Sequence, residues 1–157
     1  MKTAIIYSTK HGGTARCVEL VKNKLNGKAD VYNIREQKNV PLDHYHQVIV
    51  GGSIYMGQIQ KEVKAFCQKK LNTLLDKKTA LFICSAFGAE EEFASNFPVP
   101  LINKSEMNVN PGYVMDMGSL TFMEKMMAKA IPKSQLRAEG YRGDRIQALA
   151  GVMNQDG

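Results

Sequence analysis

Hydrophobic residues along this chain fall into short continuous runs, and stretches with helical spacing separate the runs. TAIIYS, from Thr3 to Ser8, is apolar nearly throughout and rich in Ile, which predicts a strand buried on both faces. QVIVGGS (47–53) and TALFICSA (79–86) repeat this pattern. ADVYNI (29–34) is shorter and alternates, and GYVMDMGSL (112–120) completes the set. The pattern therefore predicts five strands.

The stretches between the runs place apolar residues three and four positions apart. Val18, Val21 and Leu25 recur at this spacing after Thr14, and Asn26-Gly27 ends the predicted helix. Further helices are predicted over residues 62–75, 90–96, 122–131 and 144–154. Pro98 and Pro100 limit the second of these, and Pro132 ends the third.

Strands that alternate with helices are typical of a parallel sheet with helices packed on both of its faces. Each crossover between parallel strands is expected to be right-handed. The chain has 157 residues and no linker-like or repeated segment, so we expect one α/β domain over residues 1–157.

Composition and charge narrow the function classes. No apolar run reaches the ~18 residues that a membrane-spanning helix needs, and MKTAIIYSTKHGG lacks the features of a signal peptide, so we expect a cytoplasmic protein. The formal net charge of +6 either attracts an anionic partner or reflects solvated helix faces. The basic residues are scattered and follow no nucleic-acid-binding motif, so we expect no nucleic-acid partner.

The sequence indicates neither a metal site nor a catalytic side chain. The three cysteines, Cys17, Cys67 and Cys84, are far apart and are expected to pack as small apolar residues. His44 and His46 alternate in a polar connection, where a solvated loop is favoured over a metal site. The acidic run 90–92 suits a helix start better than acid catalysis. We therefore predict no metal site and no catalytic side chain.

Three loops carry the candidate chemistry. In an open parallel sheet, ligands bind beyond the carboxyl ends of the strands, near the point where strand order reverses. The loops STKHGGT, GGSIYMGQ and CSAFGAE follow the first, third and fourth strands there. All three are rich in Gly, Ser or aromatic residues, so this edge of the sheet is the predicted binding site.

The first loop has the composition of an anion cradle. A helix N-terminus presents unpaired N–H groups and partial positive charge, to which a phosphate binds readily. Gly12 and Gly13 allow close approach of the backbone, and Thr9, Thr14 and His11 offer side-chain hydrogen bonds. The loop matches neither the P-loop nor the dinucleotide G-x-G-x-x-G motif. Phosphate binding is favoured over a purely structural turn.

Two motifs resemble those of a known family. Residues 9–14, TKHGGT, resemble the flavodoxin phosphate loop T/S-x-T-G-x-T, with His11 in place of its middle Thr. VIVGGSIYMGQ (48–58) resembles the branch of flavodoxin domains that includes the menaquinone-dependent protoporphyrinogen oxidase. Ser8-Thr9, Gly51-Gly52-Ser53-Ile54 and the Met-rich segment 122–131 add to that likeness. The resemblance implies a flavodoxin-like three-layer sandwich with strand order 2-1-3-4-5.

The resemblance also implies bound FMN and assigns residues to it. The phosphate would lie on Thr9, Lys10, His11, Gly12, Gly13 and Thr14. The isoalloxazine ring would lie between two loops, one made of Ser53, Ile54, Tyr55, Met56 and Gly57, the other of Ser85, Ala86, Phe87 and Gly88.

Some of these residues have individual expectations. Tyr55, Met56 and Phe87 are candidates for the flat faces against the ring, with a surface position as the alternative for Tyr55 and a core position for Phe87. Gly57 would let a peptide reorient toward the flavin N5.

Three functions stay open at this point. The leading one is an FMN-binding electron carrier of flavodoxin type, with a redox protein or a quinone as partner. The second is an FMN-dependent oxidoreductase that acts on protoporphyrinogen or a quinone. The third is a binding module that has lost the flavin and holds another phosphorylated ligand. Segment 122–131 is interpreted as core filling, with peripheral membrane contact as the alternative.

Overall fold

Five parallel strands form the central sheet of the computed structural model, which describes residues 2–9, 13–55, 57–86, 91–113 and 140–155. The strands are β1 (Thr3–Tyr7), β2 (Ala29–Asn33), β3 (Gln47–Ser53), β4 (Lys78–Cys84) and β5 (Asn108–Val109). Their order is β2-β1-β3-β4-β5, so the predicted α/β fold and strand order are confirmed.

Helices cover both faces of the sheet. Those described are α1 (Gly13–Lys22), α2 (Lys61–Lys69), α3 (Leu71–Leu75), α4 (Glu91–Asn96), α5 (Val99–Lys104) and α6 (Gly143–Asn154). A 3₁₀ turn, Leu42–His44, precedes β3. The buried residues of α1 and α6 share one core, whereas those of α2 to α5 share the other.

The central strands supply side chains to both cores because successive residues point to opposite faces of a strand. In β1, Ile5 and Tyr7 face α1 and α6, whereas Ala4 and Ile6 face the opposite layer. All five residues of β1 are buried, as its continuous apolar run predicts. Strand β2 lies at the edge, and its residues are only half-buried.

Two helix predictions need correction. The predicted helix over 62–75 is two helices, α2 and α3, which are separated at Lys70, where φ is −104° and ψ is 17°. Helix α5 was missed because Pro98 and Pro100 were interpreted as breakers. Pro98 instead precedes the helix and Pro100 lies in its first turn, where a missing N–H removes no helical hydrogen bond.

The predicted fifth strand over 112–120 was placed too late in the chain. Strand β5 spans Asn108–Val109, beside Leu81 and Phe82 of β4. After β5 the main chain leaves the sheet. The Asn110 side chain instead makes hydrogen bonds with the backbone of Ser85, the residue that follows β4. Gly112–Tyr113 (β6) pairs instead with Gly140–Tyr141 (β7) in a separate antiparallel pair.

The remainder of the predicted fifth strand and the predicted helix over 122–131 lie outside the described residues. Within the described ranges, no helix is both long enough and apolar enough to cross a membrane. The assignment of the whole chain to one domain stays a prediction.

Candidate functional site at the carboxyl edge of the sheet

Three strands end side by side at one edge of the sheet. Tyr7, the last residue of β1, is paired with Gly51 of β3, and Gly51 is paired with Phe82 of β4. Strands β3 and β4 extend two residues further and end together at Ser53 and Cys84. The loops predicted to carry the chemistry therefore start from adjacent positions.

The first loop is anchored on both sides of the segment 10–12, which lies outside the described residues. Before it, Ser8 is fully buried and its hydroxyl donates to Oε2 of Glu62 at 3.4 Å. After it, α1 begins at Gly13, whose carbonyl accepts a hydrogen bond from the hydroxyl of Tyr141. Thr14, in the first turn of α1, is 3% exposed. The loop therefore starts and ends at well-packed residues.

The second loop contains a tight turn from Tyr55 to Gln58. The two residues exchange backbone hydrogen bonds of 2.9 and 3.1 Å. Gly57 lies in this turn with φ of +76°, a left-handed conformation that favours glycine. Tyr55 is 45% exposed, whereas the strand before it is almost entirely buried. The turn thus presents an aromatic ring at the edge where the three strands end.

Two amide side chains hold this second loop in place. Gln60 donates from Nε2 to the Ser53 hydroxyl at 2.9 Å and accepts from the Ser53 amide at 3.2 Å. Asn96, at the end of α4, donates from Nδ2 to the Gly57 carbonyl at 3.2 Å and accepts the Ile59 amide at 3.0 Å. Both ends of the loop are therefore fixed by side-chain hydrogen bonds to the backbone.

The third loop starts at Ser85, which is 3% exposed. Its hydroxyl donates to Oε2 of Glu92 at 2.7 Å. The Asn110 amide donates to the Ser85 carbonyl at 2.9 Å and accepts its N–H at 3.3 Å, which continues the sheet pairing through a side chain. Asn110 Oδ1 also accepts the Gly112 amide at 2.9 Å.

Three ionisable groups beneath this edge have raised pKa values, and burial contributes to each of them. A hydrogen bond with the Cys17 thiol, together with burial, raises the pKa of the Cys84 thiol. Burial is also the main reason that the pKa of Tyr141 is raised. Burial, then the charges of Glu36 and Glu19, raises the pKa of Tyr7. The described cation nearest in sequence to the first loop is Arg16, which is exposed in α1.

Comparison with known proteins identifies the family. The flavodoxin domain family matches residues 4–139, which is most of the chain. The chain belongs to the flavodoxin domain family. No curated protein matches it.

Solved structures of a flavodoxin and of a flavoprotein share the fold of this flavodoxin domain. The flavodoxin of Fusobacterium nucleatum bound to flavin mononucleotide is 15% identical, with 97% of this chain and 96% of that chain covered and a TM-score of 0.56. A flavoprotein of Lactobacillus acidophilus in complex with FMN is 14% identical, with 69% and 92% covered and a TM-score of 0.56.

A variant of the flavo-diiron protein of Thermotoga maritima is also similar, at 12% identity and a TM-score of 0.57. The match covers 96% of this chain but only 34% of that longer one. At these identities the likeness shows the fold alone.

The predicted site residues that the structure describes in this flavodoxin domain lie in the three loops, at the end of β3 or at the start of α1. They are Thr9, Gly13, Thr14, Ser53, Ile54, Tyr55, Gly57, Ser85 and Ala86. Ser53 is the last residue of β3. The other predicted members, Lys10, His11, Gly12, Met56, Phe87 and Gly88, lie outside the described residues.

Close packing leaves no room for a side chain at the two glycines of the Gly51-Gly52-Ser53-Ile54 motif. A Cβ on Gly51 would overlap the ring of Phe82, and a Cβ on Gly52 would overlap Oε1 of Gln60. Close packing around β3 therefore explains why both positions are glycine.

Sequence reasoning missed the residues that support the loops. Asn96, Asn110 and Tyr141 reach them from distant parts of the chain, and Tyr141 lies 128 positions from its partner Gly13. A single Asn or Tyr carries no local periodic signal, so the pattern of the sequence does not reveal this role.

The remaining chemical candidates are placed elsewhere. All three cysteines are buried and free, as expected for small apolar packing. His44 and His46 are exposed, and Nδ1 of His46 accepts the Lys2 amide at 3.3 Å. No group of three or more metal-ligating side chains forms among the residues that the structure describes.

Proposed function

We propose that this flavodoxin domain binds FMN at the carboxyl edge of its sheet and carries electrons between redox partners. The observation that carries the proposal is the convergence of three loops at this edge, beside the N-terminus of α1. In a doubly wound sheet with this strand order, that position is the switch point at which ligands bind, as FMN does in flavodoxins.

The phosphate would lie at the start of α1. The N–H groups of the first helical turn and the helix dipole favour an anion there. Gly13 opens the helix without a side chain, and Thr14 places a hydroxyl within the same turn. We assign the phosphate to Thr9–Thr14, as the resemblance of the loop implies. Arg16 adds an exposed positive charge to the first turns of this helix.

The flavin ring would lie between the second and third loops. Tyr55 is exposed and aromatic, as a stacking partner for a flat ring must be before the ring binds. Ser53, Ile54, Met56 and Gly57 would line that side. Ser85, Ala86, Phe87 and Gly88 would line the other. When bound, FMN supplies the electron chemistry, and the chain supplies binding and orientation.

The relatives support this cofactor. The Fusobacterium nucleatum flavodoxin and the Lactobacillus acidophilus flavoprotein both hold FMN in structures with this fold. Flavodoxins as a class pass electrons to separate redox proteins, so we propose such a partner here, with a quinone as the alternative. A cytoplasmic location stays a prediction.

The experiment is a flavin titration. Purified protein that is yellow, or that quenches the fluorescence of added FMN at a 1:1 ratio and undergoes reversible reduction, supports the proposal. A colourless protein that leaves FMN fluorescence unchanged refutes it and favours a module for another phosphorylated ligand.

A second candidate is an FMN-dependent oxidoreductase of the protoporphyrinogen or quinone type. The run Gly51-Gly52-Ser53-Ile54 favours it, because that run resembles the oxidase branch. The two candidates differ in turnover. Oxidation of protoporphyrinogen by the FMN-loaded protein with a quinone acceptor would support the enzyme, whereas no turnover alongside normal electron transfer would support the carrier.

A further inference from the structure

We infer that Asn96 is a positioning residue for the flavin, because its side chain holds the turn on which Tyr55 lies; this inference rests on the proposed function. The Asn96 side chain is 4% exposed and touches no residue of the predicted site except Gly57 in the hydrogen bonds described. It acts through the backbone of the second loop.

The contacts of Asn96 use both halves of its amide. Oδ1 accepts the Ile59 amide at 3.0 Å, just after the turn. Nδ2 donates to the Gly57 carbonyl at 3.2 Å, within the turn, and to the Glu92 carbonyl of its own helix at 2.7 Å. Because Nδ2 has two protons, both of its bonds can form at once. The amide therefore connects two points of the loop to α4.

The conformation of Gly57 makes its hydrogen bond with Asn96 important for the geometry of the turn. Its φ of +76° places it where glycine is favoured, and a Cβ there would meet no atom within 4 Å, so the backbone conformation and not crowding is the reason for glycine. The hydrogen bond from Nδ2 of Asn96 thus opposes rotation of the Gly57 carbonyl. An expected consequence is that Asn96 sets which backbone group the turn presents to the flavin ring.

Helix α4 contacts the third loop as well. Glu92 accepts the hydroxyl of Ser85 at 2.7 Å, and Glu92 and Asn96 are four positions apart, on one face of the helix. One short helix thus holds the loops on both sides of the proposed ring site. Loss of Asn96 is expected to change the spacing between these loops as well as the turn itself.

The test compares Asn96→Ala, Asn96→Asp and Val48→Ala with the unsubstituted protein. Aspartate at pH 8 keeps the acceptor for the Ile59 amide and removes the donor to Gly57. Val48 is fully buried near the opposite end of β3, in the same core layer, so Val48→Ala controls for general loss of stability. The readouts are FMN affinity by fluorescence quenching, the midpoint potential, and amide exchange of Ile59 in the apoprotein.

We expect both Asn96 variants to weaken FMN binding by about tenfold, the effect of one hydrogen bond of about 1.4 kcal/mol. The midpoint potential should shift in both and not in Val48→Ala. Faster exchange of the Ile59 amide is expected in Asn96→Ala only.

Unchanged affinity and potential in both Asn96 variants would overturn the inference and leave the proposed function standing. Equal weakening by Val48→Ala would also overturn it, since the effect would then be one of stability. Failure of the unsubstituted protein to bind FMN would instead refute the proposed function, and the inference with it.

Discussion

Replacement of Gly51 by Ala tests why two consecutive glycines interrupt β3. Gly51 lies between Tyr7 of β1 and Phe82 of β4, in the middle of the sheet. A Cβ built on Gly51 would lie well inside 3.0 Å of three atoms of the Phe82 ring. Real Cβ atoms essentially never make contacts below 3.0 Å, so the ring or the strand must move.

The magnitude follows from how little room the ring has. Phe82 is 1% exposed and packs among the buried residues beneath α1 and α6. Overpacking of such a core costs about 1–3 kcal/mol. Ala in place of Gly within a strand returns roughly 0.5–1 kcal/mol, because Gly loses more backbone freedom on folding. The clash is the larger effect, so we expect Gly51→Ala to lower the free energy of unfolding by about 1–2 kcal/mol.

The assay is urea unfolding of the apoprotein, with the midpoint and slope compared across Gly51→Ala, Phe82→Leu and the double variant. Leu removes the ring atoms that the new Cβ would meet. The double variant should therefore be more stable than the sum of the single changes predicts, by about 1–2 kcal/mol. FMN affinity of folded Gly51→Ala should stay near that of the unsubstituted protein, since the added methyl points into the core.

Additive effects in this cycle would refute the reasoning, because the clash would then not involve Phe82. A stable Gly51→Ala that fails to bind FMN would refute it differently. The glycine would in that case serve the ligand directly and not the packing of the sheet.

Three further predictions concern the site and the edge of the sheet. Thr14→Val should weaken FMN binding by about 1.5–3 kcal/mol, measured by fluorescence titration, because it removes the hydroxyl that we propose bonds the charged phosphate. Asn110→Ala should lower the free energy of unfolding by about 2–3 kcal/mol in urea, because it leaves buried backbone groups such as those of Ser85 without partners. The pKa of Asp30 is lowered, chiefly by the hydrogen bond from Tyr45, so its stabilising effect is present above the ordinary aspartate pKa of about 3.9 and is lost as pH falls through the lowered value. Asp30→Asn should therefore reduce the slope of stability against pH in that acid range.

For each of these predictions, a specific result would contradict the reasoning. Unchanged FMN affinity in Thr14→Val would count against the placement of the phosphate. An unchanged free energy of unfolding in Asn110→Ala would contradict the pairing of this amide with the backbone of Ser85. An identical acid slope in Asp30→Asn would show that other carboxyl groups determine the acid stability.

Much of the fold could be predicted from the sequence because burial leaves a local pattern. The runs that became β1, β3 and β4 are apolar on both faces, and their ends agree with the predicted ones within two residues. The errors occurred where the pattern is weak. A two-residue strand such as β5 is too short to show a hydrophobic periodicity. A proline such as Pro100 occurs both in the first turn of a helix and just after a helix, so the sequence alone does not show which of the two applies.

The candidate site divides in a similar way. The loops could be predicted because Gly and hydroxyl residues follow buried strands, and the rule for parallel sheets places strand ends together. The supporting residues could not. Asn96 and Asn110 matter through hydrogen bonds to backbone atoms of other segments, and that depends on where the chain returns in space.

The sequence by itself determined the alternation of strands and helices, and with it a parallel sheet whose ligand edge carries three Gly-rich or Ser-rich loops. Only the tertiary structure decided how those loops are held: the Tyr141 hydroxyl on Gly13, the Asn110 amide on Ser85 and the Asn96 amide on Gly57. The physical reason is how far apart along the sequence the interacting residues lie. Hydrophobic burial leaves a local pattern, because apolar residues recur with a period of two in strands and of 3.6 in helices. A single polar contact instead joins residues that only the completed fold brings together.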